Sequence, residues 1–308
     1  MKILLVTPAH PHLTLWQPQN LWRRALINLG HSVNIFRLTD NKWLNRFKLH
    51  RLINSWEPQQ IFFSAGKDII LPIKHTVFFS GVPYRMLSRS ETVTGLQAKL
   101  VVANDPAHAK SWLKRGAKQA ICLPISAIDP KLHRPTPPLP RYQADVVFIG
   151  GLSLERQKLF QKLMKSKINL KLYGTLPDGF LAPSLKSIYA GPVWGKTITQ
   201  IYSSCSIALN PVPPHMPTGG NLRTFEIPAC GAFQLASRTN PNWFVSSREI
   251  VIYQHAPDLI AKIDYYLHHP QARRKIAQAG YKRVHHDHTY KKRFKLLLQL
   301  LAALPPHS

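Results

Sequence analysis

The chain has 308 residues, 44% of them hydrophobic, which is enough apolar material for two domains of about 100–200 residues each. It lacks the run of about 18 apolar residues that a membrane-spanning helix needs. Its three cysteines are odd in number and include no C-x-x-C pair, which argues against a disulfide framework or a zinc site and favours a reducing cytoplasm. A formal net charge of +27 favours polyanionic partners, but because the basic residues are scattered along the chain we expect no specific nucleic-acid interface.

Short apolar runs rich in β-branched residues recur along the chain and predict buried parallel strands. The first run is interrupted by a proline too early for a signal peptide, so a strand is the better interpretation. In the first half the predicted strands are Ile3–Val6, Val33–Phe36, Ile61–Phe63, Val77–Phe79, Leu100–Ala103 and Ala120–Leu123. In the second half they are Val146–Ile149, Leu170–Leu172, Ser187–Ala190, Ile207–Leu209, Ala232–Leu235 and Ile250–Tyr253. The segments between them have helical spacing, as in Trp22, Leu26 and Leu29 before a stop at Gly30, so the chain is predicted to be α/β with doubly wound sheets.

The proline-rich segment Pro135–Pro140 divides the two sets of strands. Four prolines in six residues cannot continue a helix or a central strand, which predicts a stiff, extended linker. At the other end, Tyr290–Leu304 is predicted as a final helix. Its apolar stripe consists of Phe294, Leu297, Leu298 and Leu301.

The most informative stretch comprises residues 218–231, between two predicted strands. Gly219 and Gly220 at the start of a helix let the backbone approach a phosphate closely, and the helix N-terminus offers free N–H donors. Arg223 in the first turn could grip a diphosphate, and Glu226 could accept hydrogen bonds from ribose hydroxyls. The alternative is a plain loop and helix that ends at a glycine, and the pattern alone does not decide between the two.

This stretch resembles the ribose- and phosphate-binding segment of the group 1 glycosyltransferases with the GT-B fold. It is most similar to the spore-coat-glycosyltransferase-like branch, whose pattern N-x-R-x-F-E-I-x-A-C-G runs here from Asn221 to Gly231. Further similar segments follow in the expected order, so the resemblance extends over roughly residues 120–300. These segments are Asp145–Gly151 with Glu155 and Arg156, Leu172–Gly174, Tyr189–Val193, Ile201–Asn210, Ala277–Val284 and His288–Tyr290.

The resemblance implies two Rossmann-like domains facing across a cleft. Residues 1–135 would form the acceptor-side domain, residues 136–288 the nucleotide-sugar-binding domain, and residues 289–308 a C-terminal helix packing back on the N-terminal domain. The implied reaction moves a sugar from a nucleotide diphosphate-sugar, a co-substrate rather than a cofactor, to a polysaccharide, lipid-linked or protein acceptor, with retention at the anomeric carbon. Because the sequence has no Asp-x-Asp motif, we expect the reaction to be independent of a metal ion.

The resemblance also implies roles for individual residues. The expected donor-binding residues are Gly150, Gly151, Arg156, Val193, Gly219, Gly220, Asn221, Arg223 and Glu226. Glu226 would bind the ribose, the two glycine loops and their arginines would face the diphosphate, and Val193 would lie beside the base. Catalysis is expected to depend on Arg223, Glu226 and His10. His10 follows the first strand, where it could assist the acceptor hydroxyl or be merely a polar loop residue.

Two positions depart from the family pattern. Thr218 stands where the family has the first of two glutamates, and Gly151 stands where an arginine often follows the loop glycine. The first departure leaves the donor sugar open, and both motivate the alternative of a catalytically inactive nucleotide-sugar-binding protein. The charge of +27 motivates a further alternative, a nucleic-acid-binding or nucleic-acid-modifying protein.

Four other segments have an ordinary structural explanation beside a functional one. His285–His288 suggests a metal site, but it lacks a second ligand group at known spacing, so a solvated helix end is favoured. Asn104–Asp105 is favoured as a helix start over a cleft-lining pair, and Ser80–Pro83 is a similar loop. Lys42–Trp56 mixes aromatic and basic residues and resembles helices with which related transferases touch membranes. An anionic membrane is therefore a candidate partner, and the expected location is cytoplasmic, with peripheral binding at the inner membrane surface.

Overall fold

A computed structural model describes residues 1–9, 16–64, 75–166 and 168–304. The chain divides into two units by its internal contacts. The first unit comprises Met1–Asp129, Pro214–Gly220 and Tyr290–Ser308, and the second comprises Pro130–Pro213 and Asn221–Thr289. The segment Pro214–Gly220 therefore belongs to the first unit, although its neighbours in the sequence on both sides belong to the second.

Strands and helices alternate along most of the described chain. The strands are β1 Lys2–Pro8, β2 Ser32–Leu38, β3 Gln60–Ser64, β4 Thr76–Ser80, β5 Leu100–Ala103, β6 Ala120–Cys122, β7 Ala144–Ile149, β8 Leu170–Tyr173, β9 Cys205–Asn210, β10 Phe233–Ala236 and β11 Val251–Ile252. The helices are α1 Pro18–Ile27, α2 Lys42–Trp56, α3 Arg89–Gln97, α4 Pro106–Lys114, α5 Leu154–Leu163, α6 Lys196–Ser204, α7 Leu222–Ala229, α8 Ala256–His268, α9 Pro270–Asp287 and α10 Tyr290–Ala303. None of the helices described is both long enough and apolar enough to span a bilayer.

The first unit is built on a parallel sheet in the order β2-β1-β3-β4-β5-β6. Successive residues of a strand point to opposite faces, and aromatic side chains cover both. Phe78 lies 5.6 Å from Trp112 of α4 between ring centroids, whereas its neighbour Phe79 lies 4.9 Å from Trp22 of α1. Phe294 of α10 lies 5.7 Å from the same Trp22, so the last helix packs against α1 within this unit.

The second unit has a parallel sheet in the order β11-β10-β9-β7-β8. Val146 and Phe148 of β7 face one buried apolar cluster, and Val147 and Ile149 face another that includes Tyr202 of α6. Both faces of this central strand are buried, which is why its sequence is apolar without alternation. The prediction of doubly wound α/β units is therefore confirmed for each sheet.

One predicted strand is wrong. Ser187–Ala190 was expected to be a strand, but Pro183–Ile188 forms a 3-10 turn with Pro183 in its first position. Only an isolated bridge between Tyr189 and Leu172 continues the parallel pairing here. The other predicted runs all coincide with strands, with ends that differ by at most two residues.

The proline-rich segment lies within the second unit and is attached to α6. The backbone N–H of Thr136 donates to Ser203 Oγ at 3.0 Å, and the N–H of Leu139 donates to Ser204 Oγ at 2.9 Å. Residues 135–139 are neither helix nor strand, Leu139 is in an extended conformation, and Pro140 begins a 3-10 turn. The segment is anchored along a helix rather than acting as a free spacer.

Candidate active site

Helix α7 begins at a buried network of amide side chains. Asn221 caps the helix, accepting from the Thr224 N–H at 2.9 Å, and its own Nδ2 donates to Asn210 Oδ1 at 2.8 Å. Asn210 at the end of β9 in turn donates to Gln234 Oε1 of β10 at 3.0 Å, and both residues are buried. Because buried amides that satisfy each other hold a single arrangement, the start of α7 is fixed to the end of β9 and to the neighbouring strand β10.

Arg223 and Glu226 form a mostly buried ion pair one turn into α7. Arg223 Nη1 donates to Glu226 Oε2, and Arg223 Nε donates at 3.0 Å to the carbonyl of Ile149, the last residue of β7. The side chain of Glu226 is 8% exposed and that of Arg223 is 22% exposed. Burial by itself raises the pKa of Glu226, but the charge of Arg223, together with His133, outweighs burial and holds this pKa below its ordinary value. Glu226 is therefore a charged carboxylate at neutral pH.

His133 completes this cluster from a distant part of the sequence. It is 2% exposed, and its Nε2 lies 3.5 Å from Glu226 Oε1. Each carboxylate oxygen of Glu226 thus has a protein partner among the described residues. Since a carboxylate oxygen can accept two hydrogen bonds, one acceptor position on each oxygen is left for a ligand hydroxyl.

Arg156 joins the loop after β7 to the loop after β9. Its Nη1 donates to the Gly151 carbonyl at 2.7 Å, while Nη2 and Nε donate to the Pro211 carbonyl at 2.7 and 3.2 Å. The guanidinium also lies over the Phe148 ring, 5.2 Å from its centroid. Burial lowers the pKa of Arg156 from its ordinary value, but an arginine stays protonated at neutral pH. The main role of Arg156 is therefore structural, because its hydrogen bonds hold the glycine loop to the loop after β9.

The glycine loop itself packs backbone to backbone against the end of β8. Gly150 N–H donates to the Tyr173 carbonyl at 3.0 Å. Gly174 has φ +133°, and a Cβ at this position would overlap the Gly150 carbonyl oxygen. A glycine is therefore required at 174 for the two loops to approach. Val193 is partly buried and packs against the apolar cluster beneath these loops.

The segment Pro214–Gly220 is attached to α4 of the first unit. Thr218 donates to Asp105 Oδ2 through both its N–H, at 2.8 Å, and its hydroxyl, at 2.7 Å. Asp105 is fully buried, and its Oδ1 caps α4 by accepting from the Ala107 N–H at 2.9 Å. The helix-start interpretation of Asp105 is confirmed, and the same carboxylate also holds the loop.

Residues 156–299 match a family model described as glycosyl transferase-like. This part of the chain is therefore similar to the glycosyltransferases of that family. The predicted enzyme class, glycosyltransferase, is confirmed by this match, whereas membership of the spore-coat-like branch stays a prediction.

The fold of the glycosyltransferase is that of solved GT-B structures. HepE of Anabaena, crystallised with UDP-glucose, is 14% identical with a TM-score of 0.69, over 99% of this chain and 100% of that one. A glycosyltransferase from Rickettsia africae is 14% identical with a TM-score of 0.67, over 97% of both chains. An α-glucosyltransferase crystallised with UDP and a DNA 13-mer is 12% identical with a TM-score of 0.66, over 98% of this chain and 100% of that one. The predicted fold class, two Rossmann-like domains of the GT-B type, is confirmed. A comparison with curated proteins gives no significant match.

The predicted donor-binding residues fall into three places in the glycosyltransferase: helix α7, the segment Pro214–Gly220, and the loop after β7. The loop after β7 contains Gly150 and Gly151, with Arg156 bonded to it, and Val193 packs against the apolar cluster of the same unit. Asn221, Arg223 and Glu226 lie together on α7, and Arg223 joins them to the end of β7, next to Gly150. Gly219 and Gly220 are buried, and they belong to the first unit together with the rest of their segment. His10 lies outside the described residues. The roles of all these residues stay predictions.

His133 is the residue that sequence reasoning missed, and no local motif marks it. The predicted cluster His285–His288 lies at the end of α9, and in the described parts of the chain no group of three or more potential metal ligands comes together. The expectation that this end is solvated is wrong for His288, which is 3% exposed, with Nε2 2.9 Å from the Trp243 carbonyl. His286 is exposed, as expected. Neighbouring histidines of the cluster thus face different surroundings.

Proposed function

We propose that this glycosyltransferase transfers a sugar from a uridine diphosphate sugar to a hydroxyl group of a polysaccharide, lipid-linked or protein acceptor, with retention and without a required metal ion. The observation that carries the proposal is the Glu226 cluster, a fixed and charged acceptor at the start of a helix, within a domain that matches a glycosyltransferase family. The choice of uridine is supported by the UDP-glucose and UDP in structures of similar fold.

In this proposal Glu226 accepts hydrogen bonds from the ribose hydroxyls through its two remaining acceptor positions. Arg223 Nη2, which has no partner among the described residues, and the first-turn N–H groups of α7 would face the diphosphate. Together with Arg156, they would stabilise the negative charge that develops on the leaving UDP, a role that other transferases give to a metal ion. His10 is proposed to assist the acceptor hydroxyl.

The test replaces Glu226 with glutamine, which keeps its size and removes its charge. We expect the dissociation constant for UDP, measured by calorimetry, to rise at least about tenfold, since a hydrogen bond to a charged group is lost. Glu155→Gln, which removes an exposed carboxylate from the same unit, is the matched control and should bind UDP as the unaltered chain does. Unchanged UDP binding in Glu226→Gln, with the fold intact, would refute the proposed ribose site.

Turnover separates the enzyme from an inactive binding protein. With UDP-glucose and a panel of glycan, lipid-linked and protein acceptors, the proposal predicts acceptor-dependent release of UDP that is lost in Glu226→Gln. Tight binding of UDP-glucose without transfer to any acceptor would favour the inactive alternative that Thr218 and Gly151 motivate.

An anionic membrane surface is the proposed location of a lipid-linked acceptor. On α2, Trp43 and Phe47 are 73% and 55% exposed, and their rings are stacked at 5.7 Å with 3° between their planes. The two rings line a cavity of about 660 Å³, and Arg46 and Arg51 line it as well. Exposed aromatic rings flanked by cations suit the headgroup region of a membrane. Trp43→Ser/Phe47→Ser should reduce co-sedimentation with phosphatidylglycerol vesicles severalfold, and equal binding of the unaltered chain to neutral vesicles would contradict this assignment.

DNA is the second candidate acceptor, favoured by the charge of +27 and by the α-glucosyltransferase crystallised with DNA. This candidate requires duplex binding that persists near 0.15 M salt and UDP-glucose-dependent labelling of the DNA. Binding that vanishes at that salt concentration would reduce it to a general charge effect.

A further inference from the structure

A cavity of about 400 Å³ lies in the second unit at the edge of the sheet where β9 and β10 begin. Its walls include Thr136 of the proline-rich segment, Cys205 at the start of β9, Cys230 after α7, and Arg273 and Arg274 of α9. Ligands of open α/β sheets bind at the carboxyl ends of the strands, where the glycine loop after β7 is found. This cavity is at the opposite edge, so the proposed donor site does not account for it.

Two adjacent guanidinium groups dominate the charge of this cavity. Arg273 is half-buried and donates through Nη1 to the Tyr266 carbonyl at 2.7 Å, and Arg274 is exposed. In the described structure neither arginine has a carboxylate within ion-pair distance. Burial, and next the charge of Arg274, lower the pKa of Arg273 from its ordinary value, and the charge of Asp145 offsets this only in part.

The cysteines of the wall do not supply the missing negative charge. Burial raises the pKa of Cys205 to about 12 and the pKa of Cys230 well above its ordinary value. Both are therefore neutral thiols at physiological pH, and the S–H of Cys205 already donates to the Tyr202 carbonyl at 3.4 Å.

Two hydroxyls of the wall residues are also unsatisfied. Thr136 Oγ1 and Tyr202 Oη are buried and have no hydrogen-bond partner among the described residues. Tyr202 is 1% exposed, and buried hydroxyls without a partner are uncommon in folded proteins. The charged lining residues are thus two cations without a lining carboxylate, a set that disfavours cations and attracts anions.

We propose that this cavity is a second ligand site that binds a small phosphate-bearing anion, with its phosphate on Arg273 and Arg274. Guanidinium groups match phosphate oxygens in geometry as well as charge. The volume is within the range of small-molecule sites and exceeds that of a bare phosphate, so it admits an organic group such as a pentose beside the phosphate.

The test measures binding of ribose 5-phosphate, inorganic phosphate and ribose to the full chain by calorimetry. We expect saturable binding of a phosphate-bearing probe, no binding of ribose, and at least about tenfold weaker binding in Arg273→Gln/Arg274→Gln, since charge-assisted hydrogen bonds are lost. Arg274→Gln alone should also weaken binding, and because Arg274 is exposed this variant avoids the loss of the Tyr266 bond. Tighter binding of ribose 5-phosphate would identify an organic phosphate as the ligand, and tighter binding of inorganic phosphate would identify the free ion; either supports the site.

The control for general charge is Lys186→Gln/Lys282→Gln, which removes two exposed cations from the same unit. Equal weakening in this control and in the arginine variants, or binding that never saturates and so marks an adventitious ion only, would overturn the proposal. UDP binding should be unchanged in the arginine variants. The second site and the proposed donor site can therefore fail independently.

Discussion

The ion pair on α7 allows a quantitative prediction about stability. Arg223→Met keeps much of the side-chain volume but removes the partner of Glu226, whose side chain is only 8% exposed. Removing one partner of a buried pair costs about 3–5 kcal/mol, because it leaves an uncompensated charge. Since Arg223 is 22% exposed and His133 still faces the second carboxylate oxygen, we expect the lower end of this range, about 3 kcal/mol.

A double-mutant cycle isolates the pair from other effects of the substitutions. Glu226→Gln leaves the more exposed Arg223 unpaired and should cost less, about 2 kcal/mol. Arg223→Met/Glu226→Gln leaves neither charge unpaired, so its cost should fall below the sum of the two single costs by about 2 kcal/mol.

The pH dependence should change sign between the parent chain and Arg223→Met. In the parent chain the pKa of Glu226 is below its ordinary value of 4.5, so its stabilising contribution is present above that value and is lost as the pH falls through the folded-state pKa. In Arg223→Met, burial becomes the dominant influence and raises the pKa of Glu226. The variant therefore loses stability as the pH rises, and its deficit should be smaller at pH 5 than at pH 8.

The assay is native-state hydrogen exchange of the amides of α7, because two units need not unfold in a single transition. Urea unfolding followed by tryptophan fluorescence provides the global comparison. The reasoning would be refuted by an opening free energy of α7 in Arg223→Met within about 0.5 kcal/mol of the parent at pH 8, or by strict additivity in the cycle.

Two further predictions concern the loops on either side of α7. In Arg156→Lys the lysine side chain cannot reach both the Gly151 and Pro211 carbonyls, so the unfolding free energy of the second unit should fall by about 1–2 kcal/mol. An unchanged urea midpoint would contradict the structural role of Arg156 in joining the two loops. Asp105→Asn can place an amide donor opposite the N–H of Thr218 and should increase hydrogen exchange of the Thr218 amide at least about tenfold. Thr218→Val loses only the hydroxyl bond and should increase exchange of the residue 218 amide less. A larger increase in Thr218→Val than in Asp105→Asn would exclude this arrangement.

Most of the fold could be predicted because its signals are local. Runs such as Val77–Phe79 and Val146–Ile149 are buried on both faces, so composition alone identifies them as strands. The strand prediction for Ser187–Ala190 was wrong because these residues follow Pro183, which starts a 3-10 turn. A single bridge between Tyr189 and Leu172 is found here instead of a strand. A short apolar run does not reveal which backbone conformation its tertiary contacts select.

The candidate site was predictable where its residues share one helix. Asn221, Arg223 and Glu226 are close in sequence, so a pattern could group them, but the pairing of Arg223 with Glu226 and the Ile149 carbonyl depends on how α7 packs on β7. His133 reaches Glu226 from before the proline-rich segment. Its contribution arises from tertiary packing, for which a single sequence contains no spacing rule.

Because acidic residues are scarce in this chain, the position of Glu226 helps to identify the kind of ligand that its cluster binds. With 41 Lys and Arg against 14 Asp and Glu, attraction to anions is distributed over much of the chain and cannot by itself select a ligand. A bare carboxylate near a diphosphate would repel it, but the pairing of Glu226 with Arg223 removes most of that repulsion while leaving oxygen acceptors in place. Those acceptors favour a ligand that carries hydroxyls next to its phosphates, which DNA lacks at the 2′ position. The electrostatics of the cluster therefore support a nucleotide sugar over DNA as its ligand.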